Sequence, residues 1–547
     1  MDRKTLLIIA FVVAVLFFSN VSLCQINLEW QKRNDYRLSG AEYNPSSYCT
    51  EIDTSGGSYL TSMVSDSNKV KILLVKYNTS GELKWRRFYQ NNAAGMTGNY
   101  GCFMKCDGSN IYVASRYQDS TYGKRILLLK YDSTGTIVWE KKYHYPGSYG
   151  DVTGGIALDK SGFIYLTGNT IDVYGNGKCL VLKYKPNGDL VWVRSFQGYS
   201  TGNDIVVDVH GNSYIAGSIF SSSYGKTLMM AAKYDSSGVL MWTNSYGLNT
   251  PGYDNASIIA LDDSNNVIVG GTSYYNDWNC TTLKYRNDGT LVKYTSYMQG
   301  FNRVKSITTD SRCNIYITGL NGMNLTSILI KYDAMLAYKG AVNAADYSIR
   351  IVKYAGGKYL YAAGYKNYTS PSQKGLYFAK LDTNLATFYS IDFPVDSSLS
   401  ITPYSIVNDK NGNLFLGSSA EYQLSGYPYT NFSYPILFKL SQVTEVRNIS
   451  GTVVENYRLG QNYPNPFNPS TVISYQLPVI SDVVIKIYDV QGREVETLVN
   501  ERLQAGTYST QWDASAYPSG VYFCRMQVSG GSSTGDFNET RRMILVR

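Results

Sequence analysis

LLVKYNTSGELKWRRFY (73–89), LLLKYDSTGTIVWEKKY (127–143), LVLKYKPNGDLVWVRSF (180–196) and MAAKYDSSGVLMWTNSY (230–246) are one phrase written four times. Each is an apolar strand ending in Lys-Tyr, a turn with Gly, and a second strand carrying Trp. The phrase weakens in TLKYRNDGTLVKYTSY (282–297), ILIKYDAMLAY (328–338), YFAKLDTNLATFY (377–389) and ILFKL (436–440). Its anchors, Lys76, Lys130, Lys183, Lys233, Lys284, Lys331, Lys380 and Lys439, are spaced by 47 to 59 residues. Ahead of each anchor stands a second hairpin, as in GIALDKSGFIYLTGN (155–169), DIVVDVHGNSYIAGS (204–218), SIIALDDSNNVIVGG (257–271) and YSIVNDKNGNLFLGS (404–418). A unit therefore holds four strands, A to D, whose apolar and polar residues alternate and whose A–B and C–D turns use Asp, Asn, Ser and Gly. Nothing in it has helical spacing. Four antiparallel strands every ~50 residues predict a propeller blade.

Eight A–B–C sets are legible but only seven D segments follow them. The missing strand is at the other end, where NLEWQKRN (Asn27 to Asn34) carries Trp30 in the manner of strand D. An open array leaves two sheet edges that invite aggregation, and pairing this segment with the Lys439 strand removes them at an entropic cost that rises slowly with loop length. The expected fold is all-β, an eight-bladed β-propeller closed by an N-terminal strand. Seven blades is the runner-up.

In strand D, Trp85 with Tyr89, Trp139 with Tyr143, Trp192 with Phe196, and Trp242 with Tyr246 are four apart and so share a face. They are expected to pack between blades. The fifth unit has Lys293 in the Trp position. The A–B turn aspartates, Asp53, Asp107, Asp159, Asp208, Asp263, Asp310 and Asp409, are expected to cap their own turns, since a calcium loop wants more oxygens at alternate positions. The repeat resembles the secreted bacterial β-propeller repeats of the SBBP type, D-x-x-G-N-x-Y-x-x-G followed by K-Y-x-x-x-G-x-x-x-W. Four units match well. That resemblance implies seven blades, one fewer than the strand count gives.

The chain opens with Arg3 and Lys4, an apolar run of thirteen residues from Leu6 to Phe18, and Ser22 and Cys24 before Gln25. This is a signal peptide in form (1–24), and the run is shorter than the ~20 residues of a membrane span. Cys24 as a lipidated first residue is the alternative, with Leu23 before it against that reading. The propeller is assigned to 25–440 and a linker to 441–456 (SQVTEVRNISGTVVEN). In YRLGQNYPNPFNPSTVISYQLP (457–478), Pro464, Pro466 and Pro469 forbid helix. The strands DVVIKIYDV (482–490), REVETLV (493–499), GTYSTQWDA (506–514), GVYFCRMQV (520–528) and MILVR (543–547) follow, which suggests a small immunoglobulin-like β-sandwich. NYPNPFNPST, the Tyr488–Gly492 turn, Leu498, Gly506, Trp512-Asp513, Gly520-Val521-Tyr522 and the basic-apolar end Arg541 to Arg547 closely resemble the type IX secretion (Por) C-terminal sorting domain. The resemblance covers 457–547. It implies the type IX machinery as partner and a secreted or cell-surface location.

Charged residues make up 17% of 547, against the ~25% of ordinary soluble domains, and 51 tyrosines fill part of the gap. The net charge of +8 is spread without a basic run, which argues against nucleic acid. Beyond Cys24, Cys49, Cys102, Cys106, Cys179, Cys280, Cys313 and Cys524 form neither a disulfide framework nor a zinc pattern. Buried free thiols are expected. The two histidines, His144 and His210, fall on loops at opposite ends of a blade. No nucleophile elbow or phosphate-cradling loop is present, so the chain reads as no enzyme and needs no cofactor. A lyase or glycosidase using Asp151, Asp204 and Asp254 around the channel is the enzymatic alternative, and a passive surface component is another. The B–C loops, RYQDSTYGK, TIDVYGNGK, SIFSSSYGK, TSYYNDWN and YKNYTSPSQK, are Tyr-rich with Ser, Gly and Asn, a composition suited to recognition. Tyr117, Tyr122, Tyr174, Tyr224, Tyr274, Tyr275 and Trp278 are the candidate contacts for a glycan or protein.

Overall fold

The structure is a computed structural model. It describes residues 26–546 except 34–47, 67–68, 95–101, 120–122, 197, 248–251, 276, 298–300, 322–326, 345–346, 355–358, 368–373, 394–398, 410–411, 424–430, 443–446, 451–455, 504–505, 516 and 530–536. The segment read as a signal peptide (1–24) and Tyr122 lie outside the described residues, as does the side chain of Tyr275. The described residues form strands and turns without a helix. No helix is long and apolar enough to cross a membrane. Leu28–Ser441 and Gln442–Arg547 belong to different compact units.

The larger unit is a series of four-stranded antiparallel sheets. The fourth has Ser200–Val207, Ser213–Ser221, Lys226–Tyr234 and Leu240–Tyr246 as strands A to D, side by side in that order. The others span 48–94, 103–143, 150–195, 255–297, 301–344 and 347–393, and 399–442 supplies A to C of a last one. Strands B and C are nearly continuous apolar runs because both their faces are covered, whereas D is an edge with every second residue exposed. Beside the last strand C (Asn431–Gln442) lies Ile26–Arg33, the segment that holds Trp30. Glu29 of that segment pairs with Lys439 at 2.6 Å.

Neighbouring sheets share one core each. Strand A of every sheet lies against strand A of the next, and that of 399–442 lies against that of 48–94. At this last junction Phe415 and Leu437 pack with Leu60, Val64, Leu73, Val75 and Tyr77.

The Lys-Tyr…Trp phrase is the joint between sheets. The carbonyl of Ser236, in the fourth C–D turn, receives both Lys183 Nζ (2.8 Å) and Trp192 Nε1 (3.3 Å) from the third sheet. Ser133, Pro186 and Asn287 carbonyls accept the same pair from Lys76 and Trp85, Lys130 and Trp139, and Lys233 and Trp242. Lys439 donates to the Thr79 carbonyl at 3.0 Å, the equivalent grip of the last sheet on the first.

The turn glycine serves this joint twice. Gly238 has φ +85°, and a Cβ there would stand 2.8 Å from the Trp192 ring; Gly289 meets Trp242 in the same way at 2.7 Å. Where the Trp is lost the glycine is lost with it. Lys293 and Gly340 occupy the Trp register opposite Lys284 and Lys331, and the following turns hold Leu336 and Leu385 at φ 57° and 70°. Both leucines are buried in the inter-sheet cores. A side chain on the turn thus fills the space the missing indole would take, at the cost of a left-handed backbone that disfavours any residue with a Cβ.

The A–B aspartates cap their turns as expected, with one correction. In the fifth sheet the cap is Asp262, not Asp263: its carboxylate accepts Ser264 and Asn266 N–H at 3.0 and 2.9 Å. Asp53, Asp107, Asp159, Asp208 and Asp310 also accept a tyrosine hydroxyl from strand B, as Asp208 does from Tyr214 at 2.9 Å, while the sheet of Asp409 has Phe415 in that position. In the fifth sheet Ile268 replaces that tyrosine, and Lys284 Nζ takes the Asp262 oxygen at 2.7 Å.

In the terminal unit two four-stranded sheets enclose one core around Trp512, whose Nε1 donates to Glu496 at 2.8 Å. The stretch 441–456, read as linker, contributes a strand: Arg447–Ser450 pairs with Gly506–Asp513. The last strand is also longer than the 543–547 expected, running Phe537–Leu545. Both differences have one cause, polar residues that join a ladder through the backbone without an apolar pattern to announce it.

Candidate functional site

Strand C of one sheet touches strand A of the next through single parallel bridges, Lys124 with Gly150, Thr227 with Tyr253, and Lys374 with Ser400. These bridges sit where strands C and A begin, so the B–C and D–A loops share one face. The A–B and C–D turns lie at the other ends of the strands.

On the loop face a cavity of about 190 Å³ opens where the third, fourth and fifth sheets meet. Tyr199 and Phe220 form one wall, their rings 6.1 Å apart and tilted by 59°, and Tyr253 faces it from the next D–A loop. The three rings are 41 to 51% exposed. Ser200, Thr201, Ser218 and Thr227 supply the polar lining. Phe220 N–H donates to the Tyr199 carbonyl at 2.7 Å, Ser200 Oγ accepts Cys179 N–H at 3.0 Å, and Thr201 and Ser218 share a hydrogen bond at 2.7 Å. The Ser200, Thr201 and Ser218 hydroxyls are therefore held by hydrogen bonds within the protein. None of these aromatics is among the seven candidates read from the B–C loops. Their sequence signal is a Gly-Tyr dipeptide just ahead of strand A, at 198–199 and 252–253.

The seven candidates divide. Tyr274 and Trp278 meet across the fifth hairpin with centroids 5.3 Å apart and planes at 73°, and Tyr274 N–H points at Asp254. Tyr275 pairs through its backbone with Asp277 on the same hairpin. Tyr174 and Tyr224 stand on turns, 85% and 59% exposed. Tyr117 turns inward: its hydroxyl donates to Asp119 at 2.8 Å and Lys142 lies over its ring.

The candidate carboxylates do not converge. Asp151 is fully buried and accepts Tyr145 N–H at 3.0 Å, Ser148 Oγ at 3.1 Å and the Arg125 guanidinium at 3.5 Å. His144 Nδ1 meets both Ser148 and Asp151, so serine and aspartate compete for one ring nitrogen instead of being relayed through two. Asp254, also fully buried, pairs with Lys226 at 3.0 Å. Asp204 accepts N–H of Ile259 in the next sheet at 3.0 Å and of Ile205 at 2.9 Å. Burial pushes its carboxyl up to about 6, against the lowering effect of those two bonds and of Lys105. His210 lies on the opposite face, its N–H bonded to Asp208.

The seven cysteines within the described residues are free. Burial pushes the thiols of Cys102, Cys179, Cys280 and Cys524 up to about 12. Among the described residues no group of His, Cys, Asp and Glu could hold a metal ion.

Several solved propeller-like structures are similar to the chain. Polysaccharide lyase Uly1 has 10% identity and a TM-score of 0.41, over 74% of this chain and 94% of that one. The β-propeller domain of the Trilobed protease from Pyrococcus furiosus has 10% identity and a TM-score of 0.37, over 62% and 95%. An acylaminoacyl peptidase from Pyrococcus horikoshii has 11% identity and a TM-score of 0.38, over 72% and 61%. No curated protein matches the chain. Residues 461–537 match the secretion system C-terminal sorting domain, and the terminal unit is therefore the address that sends this chain out by type IX export, to the cell surface or the medium.

Proposed function

We propose that Leu28–Ser441 is a closed eight-bladed β-propeller of the SBBP type. It is completed by the strand around Trp30 and carried outward by the signal peptide and then the sorting domain. It acts at the cell surface or in the medium as a non-enzymatic scaffold for a glycan or protein ligand. The grip of Lys439 on Thr79 supports closure.

The observation that carries the binding reading is the aromatic cavity with pre-set hydroxyls at the junction of three sheets. At about 190 Å³ it is smaller than the ~300–1,000 Å³ of pockets that engulf a small molecule. Its size suits one sugar ring of a longer chain, with Tyr174, Tyr224, Tyr274 and Trp278 as outlying contacts on the same face. Aromatic faces take the apolar side of a sugar while serine and threonine hydroxyls take its rim. The alternative, a lyase or glycosidase, is disfavoured because Asp151, Asp204 and Asp254 are each engaged by a partner from a neighbouring sheet.

The test is a glycan array probed with the secreted protein and with Tyr199→Ala/Tyr253→Ala. Binding that falls roughly tenfold or more in the variant supports the cavity. Retained binding overturns it, and turnover of any polysaccharide revives the enzymatic reading.

A further inference from the structure

Among the described residues six of the eight A strands step out of register with strand B at a bulge, at Gly154, Asn203, Ser257, Lys305, Arg350 and Tyr404, and the sixth does so a second time at Asn302. A bulge throws its extra residue out of the ladder and re-aims it. Strand A is the innermost strand of the ring proposed above, so these residues follow one another around the channel. Their contacts run sideways to the next strand A: Asn203 donates to Asn255 Oδ1 at 2.8 Å, and Arg350 lies 5.2 Å from the centre of the Tyr404 ring. Lys105 of the second sheet is near enough to act on Asp204 of the fourth and Lys353 of the seventh. Side chains that border one shared space have this reach.

The sequence at the bulge is lopsided. On one side it is Gly, Asn and Ser. On the other it is Lys, Arg and Tyr, with Arg303 and Lys353 on the same A strands. Among the described residues Arg303, Lys305, Arg350 and Lys353 make no ion pair, while Glu51 is taken by Lys105 at 2.7 Å. Burial, Arg350 and Arg303 together hold the Lys305 ammonium down at about 8. Burial and then Lys105 lower that of Lys353, against the raising effect of Glu51. Crowding cations that make no ion pair is unfavourable, and an anion among them relieves it.

We propose that the channel binds the carboxylate or sulfate group of an anionic saccharide, held by Arg350 and Lys305, with the sugar ring against Tyr404. The guanidinium fork matches both oxyanions in a bidentate manner. Tyr404 is 39% exposed, with the Arg350 guanidinium beside its ring. The Gly154, Asn203 and Ser257 side is small and uncharged. This rests on the closed-ring reading but not on the loop-face cavity.

Calorimetric titration of the secreted full-length protein at about 0.15 M salt tests it, with tetragalacturonate, maltotetraose and inorganic sulfate as probes. Tetragalacturonate should bind and maltotetraose should not. Lys305→Gln/Arg350→Gln should weaken binding roughly tenfold or more, and Tyr404→Ala should weaken tetragalacturonate but spare sulfate. The surface pair Lys160→Ala/Lys185→Ala should change nothing. Equal binding by the channel variant, by the neutral sugar, or loss in the surface pair overturns the site, and binding of sulfate alone overturns the saccharide. Hydrogen exchange separates the two readings. Slow exchange in 26–33 with no titration sinks the channel site alone, and fast exchange there sinks the ring beneath it.

Discussion

What a single position tolerates here is decided one sheet away. Gly238→Ala would force a Cβ against Trp192 from a left-handed backbone. A loss of roughly 2–4 kcal/mol is expected, read as a lower urea midpoint at unchanged slope. The same complementarity predicts a coupled pair. Lys293→Trp alone should collide with Leu336, and Leu336→Gly alone should open a void. The two together should be better than their sum by ~1 kcal/mol or more in a double-mutant cycle; additive effects would refute the pairing. Asp204 behaves differently because burial disfavours its charge. Its folded value lies above that of a free aspartate, so the stability it gives when protonated fades as pH rises towards about 6. Asp204→Asn should therefore gain on the order of 1–2 kcal/mol near pH 7 and little near pH 4, measured by thermal melts at the two pH values. The sequence made the repeated Trp and Asp visible but not which of two adjacent aspartates caps the fifth turn. Only the reach of Asn266 and Lys284 distinguishes Asp262 from Asp263.

At the scale of strands and loops, periodicity carried the reading further than composition did. Alternation and turn residues located strands A to D in each repeat, because each strand buries both faces or one and says so in its pattern. The short strand Arg447–Ser450 was hidden because it pairs through its backbone, which any sequence offers equally. The cavity was hidden for a related reason. Tyr199, Phe220 and Tyr253 come from three separate segments whose meeting depends on how strand A docks on the strand C before it. In the terminal unit the final strand carries Met543 and Leu545 into the core. Met543→Asp should unfold this unit and halt export, leaving the cargo in the periplasm by fractionation and immunoblot, whereas Met543→Leu should be tolerated.

For the whole molecule, the strand count argued for a partner from the N-terminal side of the repeats, and Ile26–Arg33 lies beside Asn431–Gln442. Removing Ile26–Arg33 should lower the melting temperature of the large unit and raise its tendency to associate, by calorimetry and light scattering, since the Asn431–Gln442 edge is then unpaired. Lys439→Met keeps the stem but drops the donation to Thr79, and should show a milder form of the same change.

That donation has a direction. Lys76, Lys130, Lys183, Lys233, Lys284 and Lys439 each reach forward to a carbonyl of the next sheet, so the joint is head-to-tail and carries no symmetry axis. Contacts of this kind end only when the accumulated rotation returns to its start; otherwise they continue from molecule to molecule as a filament. The same lysine that locks Thr79 within one chain would, in a copy with one repeat too few or too many, look for the Thr79 of another. Gain or loss of a repeat would then be read out as polymerisation rather than as unfolding.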